Sequence, residues 1–215
     1  GYLSSYLIIA ILVGQMPFLA TIVAAEIVSG EYAKGTFRMY LSRPVSRSKV
    51  LLSKLIIVVI YTILMMFFFI FYTLSISCLF LGIGDLAVFH QGLLFLSDGD
   101  IVWRFFLAFS ISTVVMLSIS SLCFMLSTFF KNSVTPIIIT ISTVFIGSAI
   151  SFIPLEIFEL VNPYLFTGYI DLFLSAFHDP IPWNIILNAS TTCLIWSLIF
   201  IFIAFNHFNA KEILT

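Results

Sequence analysis

The 215-residue chain is 61% hydrophobic and only 9% charged, where a soluble domain carries roughly 25% charged residues. A soluble fold of this size cannot hide so much apolar surface, so the surplus must face lipid. The net charge of −1 gives no footing for nucleic-acid binding. Cys78, Cys123 and Cys193 each sit inside an apolar run and read as small hydrophobes, not as a disulfide framework or a metal site.

Spanning the hydrocarbon core takes about 20 apolar residues as a helix. Residues 2–25 form the first such run, with Gly14 and Pro17 inside it. Proline removes a backbone hydrogen bond, so this span is expected to kink, which could serve packing or a gate. Residues 26–54 are a polar, basic segment, and residues 55–83 form the second run. In the loop that follows, Asp98-Gly99-Asp100 reads as a turn rather than a cation site. Residues 105–130 and 134–153 are the third and fourth runs. Both are rich in hydroxyls, among them Ser112, Thr113, Ser120, Ser121, Thr140, Ser142, Thr143 and Ser148. Such residues bring helix backbones close in lipid, and a polar substrate path would use them too.

Residues 154–183 are apolar but interrupted by Asn162-Pro163, Asp171 and Asp179-Pro180. Their longest unbroken part, 164–177, would be about 21 Å long as a helix, short of the roughly 30 Å core. One or two short helices lying at, or dipping into, the outer interface are expected there. Residues 185–205 form the fifth run. Asn188-Ala-Ser190 lies inside it and is a chance match to a glycosylation acceptor. None of the five runs contains Lys, Arg, Asp, Glu or His. Continuous runs of this length predict an all-α, polytopic bundle as a single transmembrane domain over 1–215, because a β-barrel would show roughly 10-residue alternating segments.

Lys34, Arg38, Arg43, Arg47, Lys49 and Lys54 lie between the first and second runs, Lys131 between the third and fourth, and Lys211 after the fifth. In an alternating topology these share one side, and the other holds only Arg104 beside seven acids. The positive-inside rule makes the basic side the cytoplasm of a cell membrane. The first span then enters from outside, which leads us to expect one further span before Gly1, for six in all.

The cytoplasmic segment divides in three. Gly30 can loosen the end of the first span, and Gly35 permits a second break. Residues 36–42 form a short helical stretch with Phe37, Tyr40 and Leu41 on one face and Arg38 on another. Pro44 stops it, and Ser46 is placed to N-cap the helix that runs into the second span. A short amphipathic helix between two spans can receive a push from a soluble partner. An acid at the end of a span, then Gly35-Thr36, a hydrophobic stretch, Ser42-Arg43-Pro44-Val45-Ser46-Arg47 and Lys54 resembles the permease subunits of type-two ABC exporters. Asn162-Pro163-Tyr164, before the last span, is similar to that family's outer segment. The likeness covers most of the chain in topology and about 30 residues in motif.

The resemblance implies a dimeric permease, homo- or heterodimeric, whose coupling helix docks on a separate cytoplasmic ABC ATPase. Glu26, Glu31, Gly35, Thr36, Phe37, Arg38, Leu41, Ser42, Arg43, Pro44, Arg47 and Lys54 would carry the coupling. ATP and magnesium would belong to the partner ATPase, and no cofactor to this chain. Gly30 to Thr36 only superficially matches a phosphate-binding loop. It lacks the Lys after the second Gly, and it follows a span instead of a strand. Taken alone, the basic cluster would only fix topology and bind anionic headgroups, and Glu26 and Glu31 would simply pair with nearby cations. An ion-coupled carrier generally needs ionisable groups at the midplane, which these runs lack. An embedded enzyme would need catalytic groups there, and a non-transporting scaffold or regulator would be expected to carry a larger outer domain.

Overall fold

The computed structural model describes residues 1–33, 46–84, 86–89, 93–96, 98–151, 153 and 161–210. The helices are α1 (Tyr2–Val13), α2 (Met16–Ala25), the short α3 (Glu31–Ala33), α4 (Arg47–Leu81), α5 (Asp98–Phe129), α6 (Val134–Ser151) and α7 (Trp183–Ala210). Four of them, α4 to α7, are long and apolar enough to cross a membrane, and α1 with α2–α3 makes a fifth candidate bent by 46°. The chain is therefore a helical, membrane-spanning bundle. A two-stranded hairpin departs from the all-helical pattern: β1 (Leu86–Phe89) pairs antiparallel with β2 (Leu93–Leu96), Leu86 opposite Leu96.

The bend falls between Val13 and Met16, and Pro17 occupies the first turn of α2. Proline is tolerated there because the amide it lacks has no intrahelical partner. The kink expected from Gly14 and Pro17 is thus present as a break ahead of the proline.

Hydrogen bonding carries the helices beyond the apolar runs. α4 has 35 residues and begins at Arg47, eight residues before its run; Ser46 is in the N-cap position with extended backbone, though its hydroxyl makes no capping bond. Lipid selects only the apolar middle, whereas the ladder continues through polar residues. For the same reason Asp98-Gly99-Asp100 is not a free turn but the first turn of the 32-residue α5. Carboxylates are favourable at that end of a helix, where the macrodipole is positive.

Helix α5 is the hub, packed against α2, α4, α6, α7 and the segment 166–177. On α4, Leu51, Lys54, Val58, Thr62, Met66, Ile70, Thr73 and Ser77 are buried, a stripe at three- and four-residue spacing. Leu52, Ile56, Ile57, Ile60, Leu64 and Phe68 on its other faces are exposed, as a lipid-facing surface requires. The α5 hydroxyls turn back onto their own helix: Ser112 donates to the Ala108 carbonyl at 2.8 Å and Ser118 to that of Val115 at 2.7 Å. Thr140 on α6 does the same with Pro136 at 2.8 Å. Self-satisfied hydroxyls act as small packing residues, so packing is the better account of these serines and threonines. Ser120 reaches across to Thr62 at 3.0 Å. The Thr62 proton is committed to the Val58 carbonyl, so Ser120 is the donor in that pair.

The ends of the helices gather at two opposite poles. Near the hairpin, the 3₁₀ helices Asn162–Tyr164 and Phe166–Phe177 tuck against α5, α6 and α7. Phe166, Leu172, Phe173 and Phe177 are buried, and the Phe177 ring meets Phe105 and Tyr6 edge-on, with centroids 5.0 and 5.1 Å away. Short helices were expected in 154–183, and the described part bears them out. The other pole brings together the end of α2–α3, the start of α4, the α5–α6 turn and the end of α7.

Candidate functional site

At this second pole the first span does not end as a plain α-helix. Glu26–Gly30 forms a π-turn between α2 and α3. Gly30 leaves room for the Glu26 side chain: a Cβ there would stand 2.5 Å from the Glu26 carboxyl carbon. The Glu26 side chain thus folds over the glycine, and its carboxylate accepts a 2.6 Å bond from the Ser133 hydroxyl in the α5–α6 turn. Next to Ser133, Asn132 caps α6 by accepting from the Thr135 amide at 3.1 Å. Ser29 donates to the Ala25 carbonyl at 2.7 Å.

Lys54 crosses from α4. Its ammonium donates to the Ile27 carbonyl at 2.7 Å and pairs with the Glu31 carboxylate at 2.5 Å. The residue is only 7% exposed. A cation so far withdrawn from water is stable only if paired and hydrogen-bonded, and the π-turn supplies both partners. Ser48 on α4 donates to the Asn209 side chain at 3.1 Å, and His207 stacks on Phe129 with centroids 3.9 Å apart. All the span ends at this pole are therefore joined through polar or aromatic side chains.

The opposite pole has its own buried cation. Arg104 donates to the carbonyls of Ala176 (3.2 Å) and His178 (2.6 Å) and lies 3.8 Å from the Asp179 carboxylate. It holds the C-terminal end of Phe166–Phe177, where the carbonyls lack helical partners and positive charge is favoured. Beside it, Asn162 accepts from Ser151 at 2.7 Å, and the Trp196 indole donates to the Tyr164 carbonyl at 2.7 Å. Among the described residues, no three His, Cys, Asp or Glu side chains gather where a metal ion could be held.

Residues 2–214 match the model of a family described as a protein of unknown function, DUF2705. The chain belongs to the DUF2705 family. An uncharacterized protein of Bacillus subtilis (strain 168), YhcI, is similar to this DUF2705 chain, being 27% identical over 199 residues, which cover 89% of the chain and 63% of YhcI. The chain thus spans less than two thirds of the length of that relative. No solved structure matches it.

Of the residues expected to couple, the DUF2705 structure gathers Glu26, Glu31 and Lys54 at one pole, and Arg47 opens the helix that carries Lys54. Gly35, Thr36, Phe37, Arg38, Leu41, Ser42, Arg43 and Pro44, with the short helix expected over 36–42, lie outside the described residues. Glu31 pairs with Lys54 of the same segment, as expected, and Glu26 accepts from Ser133 of another turn. Ser133 and the structural role of Arg104 were missed. An asparagine cap before an apolar run was the available signal for the first; nothing local marks the second, because its partners lie more than 70 residues away.

Proposed function

We propose that this DUF2705 protein is the permease subunit of an ATP-driven exporter of the ABC type, moved by a separate ATPase through the segment 26–54. The single observation that carries the reading is Lys54. It ties α4 to the last turns of the first span, so the two helices that flank residues 34–45 share one ion pair with a buried cation. A push on that segment would reach both helices, because that pair links them. The likeness of residues 26–54 to type-two permeases and the charge-free apolar runs support the same reading. In it the Lys54 pole faces the cytoplasm of the cell membrane, and a second permease chain completes the path.

Co-expression with a soluble ATPase carrying a phosphate-binding loop, encoded beside this chain, tests the proposal. The ATPase should co-purify with the permease, and Arg38→Ala with Leu41→Ala should abolish both complex and stimulated ATP hydrolysis. Full complex formation by the double variant would remove the coupling assignment.

A further inference from the structure

We infer that the π-turn Glu26–Gly30 is a joint with two registers, held in the wide one by Lys54. In a regular α-helix the Ile27 carbonyl accepts from the Glu31 amide, four residues on. Here the Glu31 amide bonds the Val28 carbonyl, three residues back, so the π-turn closes on a tight 3₁₀ bond and leaves the Ile27 carbonyl to another donor. The Lys54 ammonium donates to the Ile27 carbonyl at 2.7 Å and holds the Glu31 carboxylate at 2.5 Å. One buried cation thus engages both the acceptor and the residue that an α register would pair with each other. Gly30 lets the Glu26 carboxylate fold against the turn, within 2.8 Å of where a Cβ would stand.

A π-turn is wider than an α-turn by one residue, and such single turns inside α-helices are frequent at functional sites. Return to the α register would re-pair the Glu31 amide with the Ile27 carbonyl. It would also turn everything downstream by about 100° and advance it by about 1.5 Å. Withdrawal of α4 removes Lys54 from the turn and favours that return; its approach favours the wide register. Sliding of α4 is thereby converted into rotation of Glu31–Ala33, from which the chain leaves towards residues 34–45. The joint itself needs no transport reading; only its use in coupling rests on the proposed function.

Tyr32 and Ala33 report the register, since Tyr32 is half-buried against the core and Ala33 is exposed. The experiment uses the full chain in lipid nanodiscs, with Cys78, Cys123 and Cys193 replaced by Ala and either Tyr32→Cys or Ala33→Cys introduced. Reaction with a soluble maleimide should be several-fold faster at position 33 than at 32. Lys54→Met should reverse that order, and Lys54→Arg should keep it. Deleting Val28 from the Lys54→Met chain removes the extra residue and should bring the original order back. An unchanged order in a monodisperse Lys54→Met chain overturns the inference, and so does equal reactivity at both positions, which would mean fraying. If Lys54→Met alone does not fold, the Val28 deletion must restore folding together with the order; failure to do so also overturns it. None of these readouts involves an ATPase, so the joint can fail while the exporter reading stands.

Discussion

Lys54 and Arg104 solve the same problem at opposite ends of the bundle. Each is a cation 7% exposed, and each donates to the main chain of another segment, Lys54 to one carbonyl and Arg104 to two. Removing such a donor leaves desolvated acceptors behind, which costs more than the bond itself contributes. Arg104→Met should therefore lower stability by about 2–4 kcal/mol, seen as a lower midpoint of thermal unfolding in detergent and faster amide exchange over 166–177. Arg104→Lys should recover only part of this, because a single ammonium does not reproduce the two-pronged reach of a guanidinium. Ser133→Ala is milder: the Glu26 carboxylate loses one donor but stays close to water, so about 1 kcal/mol is expected in the same assay.

Among the elements, close approach decides which glycines matter. A Cβ on Gly147 of α6 would run into the Thr167 side chain, including its Cβ, whereas one on Gly84 would meet nothing within 4 Å. Gly147→Ala should cost about 1–3 kcal/mol through overpacking, while Gly84→Ala leaves the unfolding midpoint unchanged. The same elements show what was legible in the sequence. The spans could be read because each apolar run is longer than any core helix needs, and the break in the first could be read because Gly14 and Pro17 act locally. The π-turn could not: it depends on Lys54, more than 20 residues away, reaching the Ile27 carbonyl. Asp98-Gly99-Asp100 was misread because turn and helix start share a composition, and only the continuation of the ladder into Ile101 separates them. Of the coupling residues, the pairing of Glu31 with a cation was legible because the segment 26–54 carries six basic side chains, though not which of them it would choose. The choice of Ser133 for Glu26 was not, because it joins turns more than 100 residues apart.

Across the whole molecule, charge is sorted by pole. Arg47, Lys49, Lys54 and Lys131 lie at the end where α4 begins, and Arg104 lies at the other. Applied to this arrangement, the positive-inside rule predicts that Lys49→Cys is labelled from the cytoplasmic side and Gly84→Cys from the opposite one. An impermeant thiol reagent applied to oriented vesicles, with the three native cysteines replaced, distinguishes the two. Labelling of both positions from the same side would remove the alternating topology.

The unequal helix lengths have a consequence for the lipid itself. At 1.5 Å per residue, the 35 residues of α4 measure about 52 Å and the 18 residues of α6 about 27 Å. A hydrocarbon slab of roughly 30 Å is thinner than even the apolar part of the first, from residue 55 on, and is matched within a turn by the second. α6 fits the bilayer with little adjustment of it, while α4 leans or stands proud of it like a mast. Acyl-chain length then becomes a control on how far the Lys54 pole rises above the headgroups. Short-chain lipids would lift it clear, and long-chain lipids would draw its ion pair down among the phosphates.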